Sequence, residues 1–179
     1  MDTKKVISGQ TETEIWDQIE ADLLSDPSLL QYQAEINQSG TTIYLDIDVD
    51  LGGGFEGGFE LTSFTAPLLK DTAFRFALHH EEFLDEVGKF FGMEDLITGY
   101  REFDSKVVVK TNDLSKIIQL FDDVELRTVI QSLDVFRFYI VSESNKLKLV
   151  LEIEEAITDH LRLKEIYKVF HTVLKKITF

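Results

Sequence analysis

The sequence predicts an α+β fold: an antiparallel sheet of about seven strands, built from hairpins and a meander, with about five helices and a long C-terminal helix packed on the sheet. Three observations carry this. Apolar and polar side chains alternate over residues 41–51, 135–142 and 146–153, the period of a half-buried strand. Apolar side chains recur at three and four residues near both ends of the chain, the period of an amphipathic helix. The strands fall in hairpins with helices between and after them, which argues against a parallel doubly wound sheet.

A first helix begins near Thr11 or Thr13. Ile15, Trp16, Ile19 and Leu23 share a face, while Glu12, Glu14 and Asp17 suit the positive end of a helix. It stops before Pro27, which lacks the amide donor that continuation needs. Residues 31–38 and 41–51 then form a hairpin around Ser39 and Gly40. Ile43, Leu45, Ile47, Val49 and Leu51 lie on one side, and Tyr44, Asp46, Asp48 and Asp50 on the other. Strands over 58–65 and 72–78 extend it into a meander.

A second helix over about 81–91 aligns Phe83, Leu84, Val87, Phe90 and Phe91, with Gly92 as a left-handed stop. A strand over 103–110 follows. Thr111 or Asn112 caps a short helix whose Leu114, Ile117, Ile118 and Phe121 face inward. Asp122 or Asp123 caps another, carrying Leu126, Val129, Ile130 and Leu133. A hairpin of 135–142 and 146–153 turns at Glu143, Ser144 and Asn145. The last helix, about 158–177, repeats Leu163, Ile166, Tyr167, Phe170, Val173, Leu174 and Ile177, and places Lys175 and Lys176 at its negative end.

No Pro/Ser/Gly-rich linker divides the 179 residues, so the expectation is a single compact domain over 1–179, or two tightly packed lobes, 1–102 and 103–179. Charge is split unevenly between those parts. The first holds 21 Asp and Glu against 6 Lys and Arg, and the second holds 12 against 12, so the first part carries the whole net charge of −15. Such a field repels phosphate backbones and favours a partner with a basic surface. The expected partner is therefore another protein, with no nucleic acid and no membrane. With no cysteine, disulfide frameworks, cysteine-ligated metals and thiolate catalysis are excluded. No apolar run approaches the roughly 18 residues of a membrane span, and Met1–Gln10 lacks a signal-peptide core, so a cytoplasmic location is expected.

From His79 to Asp113 the residues Glu81, Gly88, Lys89, Gly92, Met93, Asp95, Gly99, Phe103, Asp104, Val109, Lys110, Asn112 and Asp113 resemble a segment of a prokaryotic domain-of-unknown-function family. In that family a short amphipathic helix ending in glycine leads through an Asp and a Gly to a Phe-Asp strand start and an Asn-Asp helix cap. The resemblance extends over about half the chain. It implies a shared fold and transfers no catalytic residue, since no chemistry is assigned to the family.

The sharpest polar constellation is Asp46, Asp48 and Asp50, whose spacing of two puts three carboxylates on one strand face, about 7 Å apart. Mg²⁺ or Ca²⁺ takes such oxygens, and Glu56 and Glu60 follow a glycine turn. Phosphoryl chemistry also needs basic groups, however, and no Lys or Arg occurs between Lys5 and Lys70. The tandem Gly-Gly-Phe-Glu copies, 53–56 and 57–60, precede a strand, so they make no phosphate loop; they read as a bulged crossing or as a display of Phe55 and Glu56 to a partner. His79 and His80 are adjacent in sequence, and His160 and His171 are roughly three helical turns apart, so neither pair has metal-ligand spacing. There is no Gly-x-Ser-x-Gly nucleophile elbow.

The reading these residues favour is a non-catalytic acidic interaction module that needs no cofactor and binds through Asp46, Asp48, Asp50, Phe55 and Glu56. A divalent-cation-dependent phosphoester hydrolase or nucleotidyl-transfer relative using the three aspartates is one alternative. Another is a carrier of a small apolar ligand in a cavity lined by Phe74, Phe76, Phe83 and Phe170.

Overall fold

A computed structural model describes residues 4–26, 29–49, 60–68, 72–80 and 94–178. In chain order the elements are β1 (Lys5–Gly9), α1 (Glu12–Ser25), β2 (Gln31–Gln38), β3 (Thr41–Val49), β4 (Glu60–Pro67), β5 (Phe76–His80), β6 (Glu94–Leu96), α2 (Arg101–Asp104), β7 (Val107–Thr111), α3 (Leu114–Phe121), α4 (Val124–Gln131), β8 (Phe136–Glu143), β9 (Lys146–Ile153) and α5 (His160–Thr178). The nine strands form one sheet in the order β1-β2-β3-β4-β9-β8-β5-β7-β6. Every neighbouring pair is antiparallel except β1 and β2, which run parallel on either side of the α1 crossover.

The register separates the two faces of the sheet. Ala34, Leu45, Phe64, Leu151, Phe138, Leu78 and Val109 stand across from one another over seven strands, and all are buried. The helices close over this inner face. On α5 the Phe170 ring lies 5.8 Å from both Phe64 and Phe138, and Tyr167 meets Trp16 of α1 edge-on at 5.5 Å. Ile117 and Phe121 of α3 and Leu126 and Ile130 of α4 join the same core. Burial of these side chains, not helix propensity, holds helices this short in place.

Two polar contacts tie distant segments inside that apolar layer. The Thr62 hydroxyl donates to the Glu155 carbonyl at 2.7 Å and accepts from the Ile157 amide at 2.9 Å, fastening the passage from β9 to α5. Tyr167 donates to Gln38 Oε1 at 2.5 Å, joining α5 to the end of β2. Both satisfy groups whose burial without a partner costs about 1–3 kcal/mol.

The α+β prediction holds, with the meander in β2, β3 and β4 and the long C-terminal helix packed on the sheet. Several particulars differ. Two more strands are present than expected, β1 and β6. The meander does not continue into 72–78, because β9 takes the free edge of β4, and β5 sits instead between β8 and β7. Arg101–Asp104 form one helical turn before β7, so the strand predicted over 103–110 begins only at Val107. Phe103 of that turn is buried against Phe121 at 4.7 Å, and Asp104 accepts from the Thr98 and Gly99 amides.

The caps also resolve. Thr11 begins α1 in a reciprocal capping box with Glu14. Asp113, not Thr111 or Asn112, caps α3, while Asn112 bonds the Arg75 amide and the Ala73 carbonyl. Asp123 caps α4. On α3 the buried stripe is Ile117, Leu120 and Phe121, so Leu114 and Ile118 are exposed, contrary to expectation. The expected helix over 81–91 lies outside the described residues.

Candidate functional site

Strand alternation sends the side chains between the core positions to the outer face of the sheet. One register row there runs Gln33, Asp46, Ser63, Glu152, Arg137 and His79, and beside it stand Gln31, Asp48 and Leu61. The row is not uniform. Towards β8 and β5 it sinks into the protein, with Ala77, His79 and Val150 buried, whereas Gln31, Gln33, Tyr44, Asp46 and Asp48 on β2 and β3 reach solvent.

Pairing on this face is uneven in the same direction. Lys4 meets Glu35 at 2.7 Å and also lies 4.2 Å above the Tyr44 ring. Arg137 meets Glu152 at 3.2 Å, the Tyr139 hydroxyl donates to Glu152 at 3.1 Å, and Lys148 pairs with Glu143. Asp46 and Asp48 have no cation among the described residues. Asp46 Oδ2 accepts from the Gln33 amide at 2.7 Å, but Oδ1 is buried with no hydrogen-bond partner. Burial raises the Asp46 pKa above the ordinary aspartate value; the Gln33 bond opposes this, and the Asp48 charge adds to it.

Of the five residues singled out for binding, Asp46 and Asp48 therefore share one solvent-facing patch, and Asp50, Phe55 and Glu56 lie outside the described residues. Among the described residues no three His, Asp or Glu side chains gather into a metal-sized group. His79 is buried, with Nδ1 2.9 Å from the His80 carbonyl; His160 lies 3.3 Å from Glu20; His171 is buried beside Tyr167. Phe74, Phe76, Phe138 and Phe170 form a chain of ring contacts at 5.5, 5.5 and 5.8 Å, and all four rings are buried in the core. Phe83 is outside the described residues. Among the described residues no helix is long and apolar enough to cross a membrane.

Sequence reasoning missed a polar cleft of about 250 Å³ between the last turn of α1 and the leading end of β2. Lys5, Asp22, Ser25, Asp26, Gln31 and Gln33 line it together with Leu29 and Tyr32. Lys5 pairs with Asp22 at 2.5 Å, and Tyr32 donates to the other Asp22 oxygen at 3.1 Å. Gln31 and Gln33 are the β2 residues opposite Asp48 and Asp46, so cleft and patch adjoin.

No protein-family model and no curated protein matches this sequence. Among solved structures, the mycobacterial trehalose monomycolate transport factor A, TtfA, is similar at a TM-score of 0.49 and 8% identity, over 82% of this chain and 70% of that one, a likeness too distant to carry an argument about activity.

Proposed function

We propose that the chain is a non-catalytic, cytoplasmic protein-binding module whose docking surface is the outer face of β2, β3 and β4, and that its partner presents basic side chains. The observation that supports this most is the uneven pairing: Glu35, Glu143 and Glu152 each have a cation, whereas Asp46 and Asp48 have none among the described residues, and one Asp46 oxygen is buried without a donor. A cation brought by a partner supplies what this patch lacks, and the surplus acidic charge of the first 102 residues draws such a partner in. The resemblance over 79–113 is compatible with this role and adds no chemistry to it.

A lysine- and arginine-rich peptide, titrated calorimetrically, tests the proposal. Neutralising the patch with Asp46→Asn and Asp48→Asn should weaken binding about tenfold, equivalent to about 1.4 kcal/mol. The control Glu102→Gln with Glu165→Gln, two exposed residues on α2 and α5, removes the same charge. Equal losses in the two variants would mean that the peptide senses only net charge, and the proposed surface would fall.

A further inference from the structure

One cation already sits on the outer face. The Lys4 ammonium lies 2.7 Å from Glu35 Oε2 and 4.2 Å above the centre of the Tyr44 ring. Glu35 and Tyr44 stand directly opposite one another on β2 and β3, so carboxylate and ring project from sheet positions whose Cβ atoms are about 5 Å apart. The carboxylate is also held independently of Lys4. Asn37 donates to Glu35 Oε1 at 3.3 Å, and the Thr42 hydroxyl donates to Asn37 Oδ1 at 2.8 Å, which orients that amide. Hydrogen bonds from Lys4 and then from Asn37 keep the Glu35 carboxyl below the ordinary glutamate range.

The occupant is held less firmly than the seat. Lys4 precedes β1 and lies outside its register with β2, and its side chain is 45% exposed. An exposed ion pair of this kind contributes little against water. A lysine or arginine from another chain finds the same two attractions, the carboxylate and the negative face of the phenol ring, and Tyr44 is exposed enough to be reached. The next outward residue along β3 is Asp46, two positions on and roughly 7 Å away, with Asp48 beyond it. Alternate side chains of an extended segment have that spacing too.

Building on the basic-partner reading, we propose that Glu35 and Tyr44 form a cation seat, filled by Lys4 in the free chain and taken over by a lysine or arginine of the bound protein segment. Lys4 is then an intramolecular competitor, which lowers affinity for the partner until its ammonium is displaced. From the seat the segment runs along β3 and places its next basic side chains at Asp46 and Asp48.

The test titrates the intact chain with a peptide in which lysine alternates with serine. Lys4→Met should strengthen binding about threefold. Lys106→Met makes the same change of charge at an exposed position between α2 and β7, towards the other edge of the sheet, and should strengthen it by less than half as much. In a Glu35→Gln background Lys4→Met should give no gain beyond that of Lys106→Met. In the wild type the Lys4 ε-methylene protons, shifted by the Tyr44 ring current, should move to their free-lysine position as the peptide saturates. Equal gains from Lys4→Met and Lys106→Met, a threefold gain that survives Glu35→Gln, or ε-methylene protons that keep their ring shift at saturation would each overturn the proposal.

The same titrations separate the two proposals. If Asp46→Asn with Asp48→Asn weakens the peptide while Lys4 stays in place, the seat is wrong and the face stands. Displacement of Lys4 with no loss in that double variant supports the seat and overturns the Asp46 and Asp48 patch. A peptide that does not bind at all would overturn both.

Discussion

His171 gives the sharpest stability prediction. It lies on α5, 7% exposed, its ring 5.5 Å from Tyr167, and its Nε2 is buried without a partner. Burial, with the nearby Lys175 charge, lowers its pKa from 6.5 to about 4. The unfolded chain therefore takes up this proton first as pH falls. The stability held by neutral His171 is intact above pH 6.5, is lost as pH drops from 6.5 towards 4, and changes no further below that. Between pH 7.5 and 5 the loss amounts to at most about 2 kcal/mol, and to about 1 once residual solvation of the ring is allowed for.

Many carboxylates titrate in the same range, so the comparison must be differential. His171→Leu removes the titrating group along with an unsatisfied buried nitrogen, and it should be near neutral in stability at pH 7.5. Urea unfolding followed by the fluorescence of Trp16, the single tryptophan and a neighbour of Tyr167, reads the same core. Wild type should lose about 1–2 kcal/mol more than His171→Leu on going from pH 7.5 to 5. Equal losses would show that His171 is not held neutral by its surroundings, and the reasoning would fail.

Two further outcomes check how the helices are held on the sheet. Thr62→Val keeps the shape of the side chain but strands the Glu155 carbonyl and the Ile157 amide, and should cost about 1–3 kcal/mol in urea unfolding; a cost near zero would mean that the link into α5 is held by packing alone. Phe170→Ala opens a cavity between Phe64 and Phe138 and should cost about 3–5 kcal/mol by the same assay, whereas a loss below about 1 kcal/mol would contradict the seating of α5 there.

What the sequence made legible follows from how many side chains vote for each element. Alternation over Ile43, Leu45 and Ile47, and over Phe136, Phe138 and Ile140, places three large residues on one face, and both hairpins were readable from it. In β1 only Ile7 is buried, and its pairing with β2 is parallel and reaches across α1, so neither alternation nor a turn announces it. The helical turn at Arg101–Asp104 is too short to show a period, and Phe103 suits a strand as well as a helix. Five of the eight residues in α3 are large and apolar, so periodicity alone could not choose the edge of its buried stripe, and Leu114 and Ile118 were placed inward.

The candidate site divides along the same line. Asp46 and Asp48 share a face because two-residue spacing in a strand dictates it, whatever the rest of the chain does. The cleft could not be read, since Lys5, Asp22 and Gln31 belong to three elements whose adjacency depends on the parallel β1–β2 pairing.

The most direct measurement maps the basic peptide onto the backbone by amide chemical-shift perturbation at saturating peptide. Shifts should concentrate at Gln31, Gln33, Tyr44, Asp46, Asp48 and Ser63 and leave α3, α4 and α5 unmoved. Perturbations centred on those helices, or spread evenly over every acidic stretch, would contradict a docking surface on the outer face of β2, β3 and β4.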